Sequence, residues 1–213
     1  MNIKEQKLAA DIILEKLELA DPHAILAGGA PRDWYMGKEC NDLDFYVYLN
    51  PKNTTETNFH QLQGVLAQIG ILDLENISYE SMTDEKGAYS CMEHLRTVLE
   101  GTYYIDEDTP VKVQVMIMYS PTFDCVVDKM GCSLSRIWYK NGKITPTFDF
   151  LFTLEHKIMY YVDDMTFKET YAIKMKDRFK DYRFKPYKSF EKDYERVSIQ
   201  YYMAFLTNGI TGG

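Results

Sequence analysis

Two carboxylates one residue apart on a strand can grip a divalent cation, and Asp42 and Asp44 have that spacing. Asp42 to Leu49 alternates in polarity, so Asp42, Asp44, Tyr46 and Tyr48 share one face and Leu43, Phe45, Val47 and Leu49 the other. Like charges held so close are costly unless a cation sits beside them. Oxygen donors select Mg²⁺ or Mn²⁺, and Mg²⁺ typically combines one or two carboxylates with substrate phosphates. Two such ions stabilise both the attacking and the leaving oxygen of an in-line phosphoryl displacement. Upstream, the apolar run Ala24-Ile25-Leu26-Ala27 ends at Gly28-Gly29, and Pro31 stands where a new helix has its first turn. Glycines let a phosphate approach the backbone, and exposed N–H groups with a helix dipole favour an anion there. Either device alone is ambiguous, since a Gly-Gly turn is commonly only a turn and an Asp at a strand start is commonly solvated or capping. Joined through Arg32-Asp33, they describe a place for a metal-bound phosphate.

The surrounding elements must hold those residues. Lys4 to Leu19 reads as a helix with Ala9, Ile13 and Leu17 on one face. Ala24–Ala27 suits a buried strand, followed by a short helix that Gly37 closes. Thr54 or Thr55 can cap a helix carrying Phe59, Leu62, Val65, Leu66 and Ile69, ended by Gly70. Further on, His94–Leu99 and Thr102–Ile105 can pair as two strands around Gly101. Val111 to Met118 is a clear strand, with Val111, Val113, Val115 and Ile117 facing one way and Lys112, Gln114, Met116 and Met118 the other. Arg136–Tyr139 and Lys143–Thr145 flank Asn141-Gly142, a strong hairpin signal. From Thr153 the pattern turns helical, with Thr166 and Glu169 spaced as a capping box. Ala172, Met175 and Phe179 follow at helical spacing. A last aromatic-rich helix spans Phe190 to Phe205, and Asn208 to Gly213 reads as a frayed tail. Strands early and helices late make an α+β arrangement.

The segment from Ala24 to Leu49 resembles the head-domain signature of the polymerase-β-like nucleotidyltransferase superfamily. It is most similar to the branch of class II tRNA CCA-adding enzymes and bacterial poly(A) polymerases. That branch carries Gly-Gly-x-x-Arg-Asp, a few residues, Gly, then Asp-hydrophobic-Asp; here these are Gly28, Gly29, Arg32, Asp33, Gly37, Asp42, Leu43 and Asp44. The resemblance implies a small mixed β-sheet head with packed helices over residues 1–150, and a helical C-terminal region, 151–213, packed on it. It implies that Gly28 and Gly29 hold the triphosphate of ATP or another NTP and that Asp42 and Asp44 bind Mg²⁺ or Mn²⁺. Arg32 would contact phosphate or nucleotide, and Asp33 would order the turn by hydrogen bonding. The implied activity is transfer of a nucleoside monophosphate from an NTP to an acceptor hydroxyl, with release of pyrophosphate. The acceptor could be a tRNA or other RNA 3′ end, a protein, or a small molecule. Compact stand-alone heads of this kind resemble those of bacteriophages and other viruses.

The chain departs from that family in one place that bears on chemistry. Its members set a third carboxylate on a later strand, and the matching strand here, Val111–Met118, offers Lys112, Gln114, Met116 and Met118. Gln114 stands at the expected position. An amide oxygen can ligate a cation but brings no charge and cannot act as a base. Asp106, Asp108 and Asp124 are the nearby acids that could substitute, Asp124 foremost. The alternative function is therefore a degenerate head that binds nucleotide or protein without catalysis. The Arg-Arg-x-x-Asp motif of base selection has no clear match, nor do the long helical neck, body and tail; Lys174 to Arg183 could offer a reduced surface facing nucleotide or RNA.

Composition sets the remaining bounds. At roughly 100–200 residues per domain, 213 residues suit one domain or a domain with an appendage. A net charge of −8 argues against coating nucleic acid through bulk electrostatics. Thr166 to Lys192 nonetheless holds nine basic against four acidic side chains, a solvated helix face or a surface for phosphates. Cys40, Cys91, Cys125 and Cys132 form no Cys-x-x-Cys pair and are expected to be reduced and buried. His23, His60, His94 and His156 show no zinc-ligand spacing. No apolar run approaches the ~20 residues of a membrane span, and the N-terminus is amphipathic rather than a signal core. A cytoplasmic protein with no membrane partner is expected.

Overall fold

The computed structural model describes residues 2–48, 56–77, 95–106, 108–118, 124–162 and 169–209. Helix α1 (Ile3–Leu17) opens on a capping box, in which Asn2 Oδ1 accepts the N–H of Glu5 and Glu5 accepts that of Asn2. Its apolar stripe, Ala9, Ala10, Ile13, Leu14 and Leu17, is buried. There follow β1 (Ile25–Ala27), α2 (Gly29–Tyr35), β2 (Asp42–Tyr48), α3 (Glu56–Ile69), β3 (Ile71–Ile77), β4 (Leu95–Tyr104) and β5 (Pro110–Met118). Beyond these lie α4 (Asp124–Val127), β6 (Ile137–Lys140), β7 (Lys143–Pro146), α5 (Phe148–His156), β8 (Ile158–Tyr161), α6 (Glu169–Arg178), β9 (Arg183–Pro186) and α7 (Phe190–Gly209).

Seven strands form one sheet in the order β3-β4-β5-β2-β1-β6-β7. The central β2–β5 pair is parallel and the other pairs are antiparallel, so the sheet is mixed and the class is α+β. Alternation along β2 and β5 explains how both faces are used. Leu43, Phe45, Val47, Val113, Val115 and Ile117 face the helical layer, where they pack with α1, Ala30 and Trp34 of α2, and Leu62 and Leu66 of α3. On the opposite face, Tyr46, Met116 and Met118 join Ile25, Ala27, Val126, Val127 and Met130. Met116 and Met118 are thus core residues, not site-facing ones. The residues of that face nearest the start of β2 stay polar: Asp42, Asp44, Lys112 and Gln114.

The structure corrects several sequence expectations. Gly101 does not turn the chain: β4 runs through it as one strand, with Gly101 opposite Val113. Pairing with β5 keeps the glycine in the strand, while β3 pairs with its neighbours Glu100 and Thr102 across an irregularity in register, which local pattern alone could not show. Strand β3 arises from a segment read as unassigned. The C-terminal third is not wholly helical, because β8 and β9 pair in parallel, Ile158 against Arg183. Helix α7 continues to Gly209, past the point where a frayed tail was expected. The hairpin signal gives β6–β7, with positive φ at Asn141 (51°) and Gly142 (73°). Thr54, Thr55 and Thr166, the expected caps, lie outside the described residues. Cys40 and Cys132 are buried free thiols, and burial pushes the Cys40 thiol up to about 12. The side chains of Cys91 and Cys125 lie outside the described set.

Candidate nucleotide and metal site

The start of β2 is fixed by one amide. Gln6, on the buried stripe of α1, donates through Nε2 to the carbonyl of Cys40 at 2.8 Å. Its Oε1 accepts the backbone N–H of Cys40 at 3.0 Å and the indole N–H of Trp34 at 2.7 Å. One buried side chain thereby ties α1, α2 and the loop entering β2. At the far end of β2, the N–H of Tyr48 donates to Asp21 Oδ2 at 2.8 Å. Sequence reading singled out neither anchor; the available signal for Gln6 was a polar residue in register with Ala9, Ala10, Ile13 and Leu17.

On this frame Asp42 and Asp44 sit on one face of β2, as alternation requires. Asp42 is the register partner of Lys112 and Asp44 that of Gln114. Gln114 is in turn paired with Glu100 on β4. Asp44 Oδ1 is sealed from solvent and accepts no hydrogen bond. Burial, then the charge of Asp42, push the Asp44 carboxyl up to about 7, against the opposing pull of Arg32, Lys112 and Lys174. A buried carboxylate oxygen without a donor is costly. This donor set fits a hard divalent cation, which would satisfy the orphaned oxygen and relieve the repulsion.

Gly28 leaves β1 at φ 84°, ψ −118°, a conformation that only glycine adopts cheaply. Its N–H donates to the carbonyl of Ile137 at 3.0 Å, joining the turn to β6. A Cβ on Gly29 would meet only Arg32 Nη2, at 3.7 Å, so the guanidinium lies against the bare Gly29 backbone. Arg32 and Asp33 are 4% and 3% exposed, which makes them part of the interior. Arg32 Nε donates to Asp33 Oδ1 at 2.9 Å, and Arg178 Nη2 reaches Asp33 Oδ2 at 2.7 Å. The ring of Phe179 lies beneath both guanidinium groups, 5.6 Å from that of Arg32 and 5.8 Å from that of Arg178. Asp33 therefore clamps α6 to the glycine turn. Arg178, unassigned from sequence, is the residue that makes this contact. Met175, Phe179 and Tyr182 are core, and Lys174 is exposed one turn before Arg178.

No third acid joins Asp42 and Asp44: among the described residues no group of three or more His, Cys, Asp or Glu converges. Gln114 holds the position beside Asp44, and its Nε2 donates to Glu100 Oε2. Asp106 and Asp108 lie in the exposed turn between β4 and β5, where Asp106 Oδ1 accepts the N–H of Asp108 at 3.1 Å. Asp124 opens α4, and its side chain lies outside the described set. No helix among the described residues is long and apolar enough to cross a membrane.

Solved structures to which the chain is similar include a CCA-adding enzyme in its apo form, which matches 92% of this chain at a TM-score of 0.52 and 13% identity. Others are a CCA-adding enzyme with CTP (TM-score 0.48, 12% identity, 81% of this chain) and a tRNA nucleotidyltransferase with a primer tRNA and an incoming ATP analogue (0.41, 14%, 67%). The chain spans 45%, 39% and 37% of the lengths of these proteins. No protein-family model and no curated protein sequence matches it. The likeness to the CCA-adding enzyme in its apo form is one of fold.

Proposed function

We propose that this protein is a metal-dependent nucleotidyltransferase that moves a nucleoside monophosphate from an NTP to an acceptor hydroxyl and releases pyrophosphate. The observation that carries this reading is the unpartnered, buried Oδ1 of Asp44 beside Asp42, on a polar stretch of a face that is core further along the strands. Asp42 and Asp44 hold Mg²⁺ or Mn²⁺, which when bound supplies Lewis-acid stabilisation of the attacking and leaving oxygens. Gly28 and Gly29 leave room for the triphosphate, and Arg32, anchored by Asp33, presents its guanidinium at the edge of that space. Residues 1–150 act as the catalytic head and residues 151–213 as a region that braces it, with Arg178 as the brace. The acceptor is a tRNA or other RNA 3′ end, a protein or a small molecule, and the basic face of α6 with Lys174 is the surface suited to it.

Incubation with each labelled NTP, Mg²⁺ or Mn²⁺, and total RNA or protein extract tests this directly. We expect incorporation to fall about 10³-fold or more in the double variant Asp42→Asn, Asp44→Asn, because metal stabilisation of the transition state is lost. Equal incorporation by the double variant rejects the assignment. A second reading is favoured by Gln114, a neutral amide in place of an acid: a degenerate head that binds NTP without turning it over. Calorimetry separates the two, since that protein takes up NTP with Mg²⁺ and yields no pyrophosphate.

A further inference from the structure

A lysine stands beside the acidic pair and its charge is felt by Asp44, yet its ammonium is bonded elsewhere. Asp42 and Lys112 are register partners on adjacent strands, and adjacent strands lie about 4.8 Å apart. An ammonium on a flexible four-carbon stem can reach Asp42 or Asp44 from there. Instead Lys112 Nζ reaches from β5 to Glu100 Oε1 on β4, on the side away from β2, at 2.8 Å. Glu100 Oε2 accepts Gln114 Nε2, so both carboxylate oxygens are engaged from β5. Burial pushes the Glu100 carboxyl up, but the bonds from Lys112 and Gln114 outweigh it and hold the group below the usual carboxylate range. The Lys112 side chain is 48% exposed, so packing does not fix its direction; the bond to Glu100 does.

The alternative position of this ammonium has a chemical consequence. Turned toward β2, it would neutralise the Asp42/Asp44 pair and repel an incoming divalent ion. The same arrangement accounts for an amide at position 114, because a carboxylate there would face Glu100 on one side and Asp44 on the other. We propose that Glu100 is a positioning residue that draws Lys112 away from Asp42 and Asp44 and keeps this pair open to a divalent cation. The inference rests on the metal-site reading above and adds a residue that the likeness to other nucleotidyltransferases does not supply.

The test is a double-variant cycle on the full chain with Mn²⁺ alone, free Mn²⁺ being read by electron paramagnetic resonance without nucleotide. Glu100→Gln weakens Mn²⁺ binding about tenfold, the size expected when a partly exposed ion pair is redirected. In the Lys112→Met background, by contrast, Glu100→Gln changes the affinity by about twofold or less, so the double variant binds at least as tightly as the wild type, because no ammonium is left to redirect. An equal loss in both backgrounds, the additive effect of one charge, overturns the proposal. Recovery in the double variant also shows that Glu100→Gln does not act by unfolding the sheet. A double variant as weak as Glu100→Gln alone, or a Glu100→Gln protein that binds Mn²⁺ like the wild type, overturns the proposal. The metal-site reading has its own control: if Asp42→Asn, Asp44→Asn binds Mn²⁺ as tightly as the wild type, the pair is not the metal site, whatever the cycle shows.

Discussion

At Arg32-Asp33 every charge has a partner, whereas a few residues on, Asp42-x-Asp44 sets two like charges side by side with one oxygen bonded to nothing. Both pairs belong to one motif, and both involve buried groups. The first is closed by Arg178 and Phe179 from α6, so it contributes rigidity and joins two parts of the chain. The second is left open by the same fold, with an oxygen that a donor or a cation would satisfy. Satisfied charge marks the scaffold here, and unsatisfied charge marks the proposed site.

Removing Asp33 should break the closed half most severely. Asp33→Ala leaves Arg32 buried without its counter-charge, and we expect a loss of about 3–5 kcal/mol in urea denaturation. A loss below about 1 kcal/mol, the range of surface ion pairs, would mean that the pair is not buried in solution.

The open half should reveal itself through pH. The Asp44 carboxyl titrates near 7 when folded and near 3.8 when unfolded, so between those values the folded state binds the extra proton. In the metal-free protein this stabilisation is present at the acid end and is lost as pH rises from about 4 to about 7, on the order of 4 kcal/mol. Asp44→Asn should flatten that slope in denaturation curves measured across the range. Added Mn²⁺ should raise stability above pH 7 in the wild type and not in the variant.

The glycine turn sharpens the contrast most gently. Gly28→Ala forces a side chain into φ 84°, and we expect it to cost about 1–3 kcal/mol. Gly29→Ala meets only ordinary contact with Arg32, so melting should move little, by about 0.5 kcal/mol or less. On the proposed reading nucleotide binding by calorimetry should nevertheless weaken in Gly29→Ala, because the new methyl comes between the backbone and the Arg32 guanidinium that would meet the phosphates. Unchanged binding would remove Gly29 from the cradle.

Much of this was legible in the chain because it is written locally. Period-two alternation placed Asp42 and Asp44 on one face and set Val111–Met118 as a strand, and a positive-φ pair marked the Asn141-Gly142 hairpin. Gly101 and the β8–β9 pair were not legible, because each depends on a neighbouring strand distant in sequence. Met116 and Met118 share a face with Gln114 by pattern, yet α4 and Met130 cover them, and only packing could show where the polar stretch stops.

The sequence by itself determined which side chains point together, since backbone periodicity is a property of the residues in order. Tertiary structure decided which of those side chains find partners. Arg178 lies far along the chain from Asp33, and Glu100 is placed beside Gln114 only by the β4–β5 register. Partnership is a matter of distance in space, and it separates a charge that holds the fold from one that waits for a ligand.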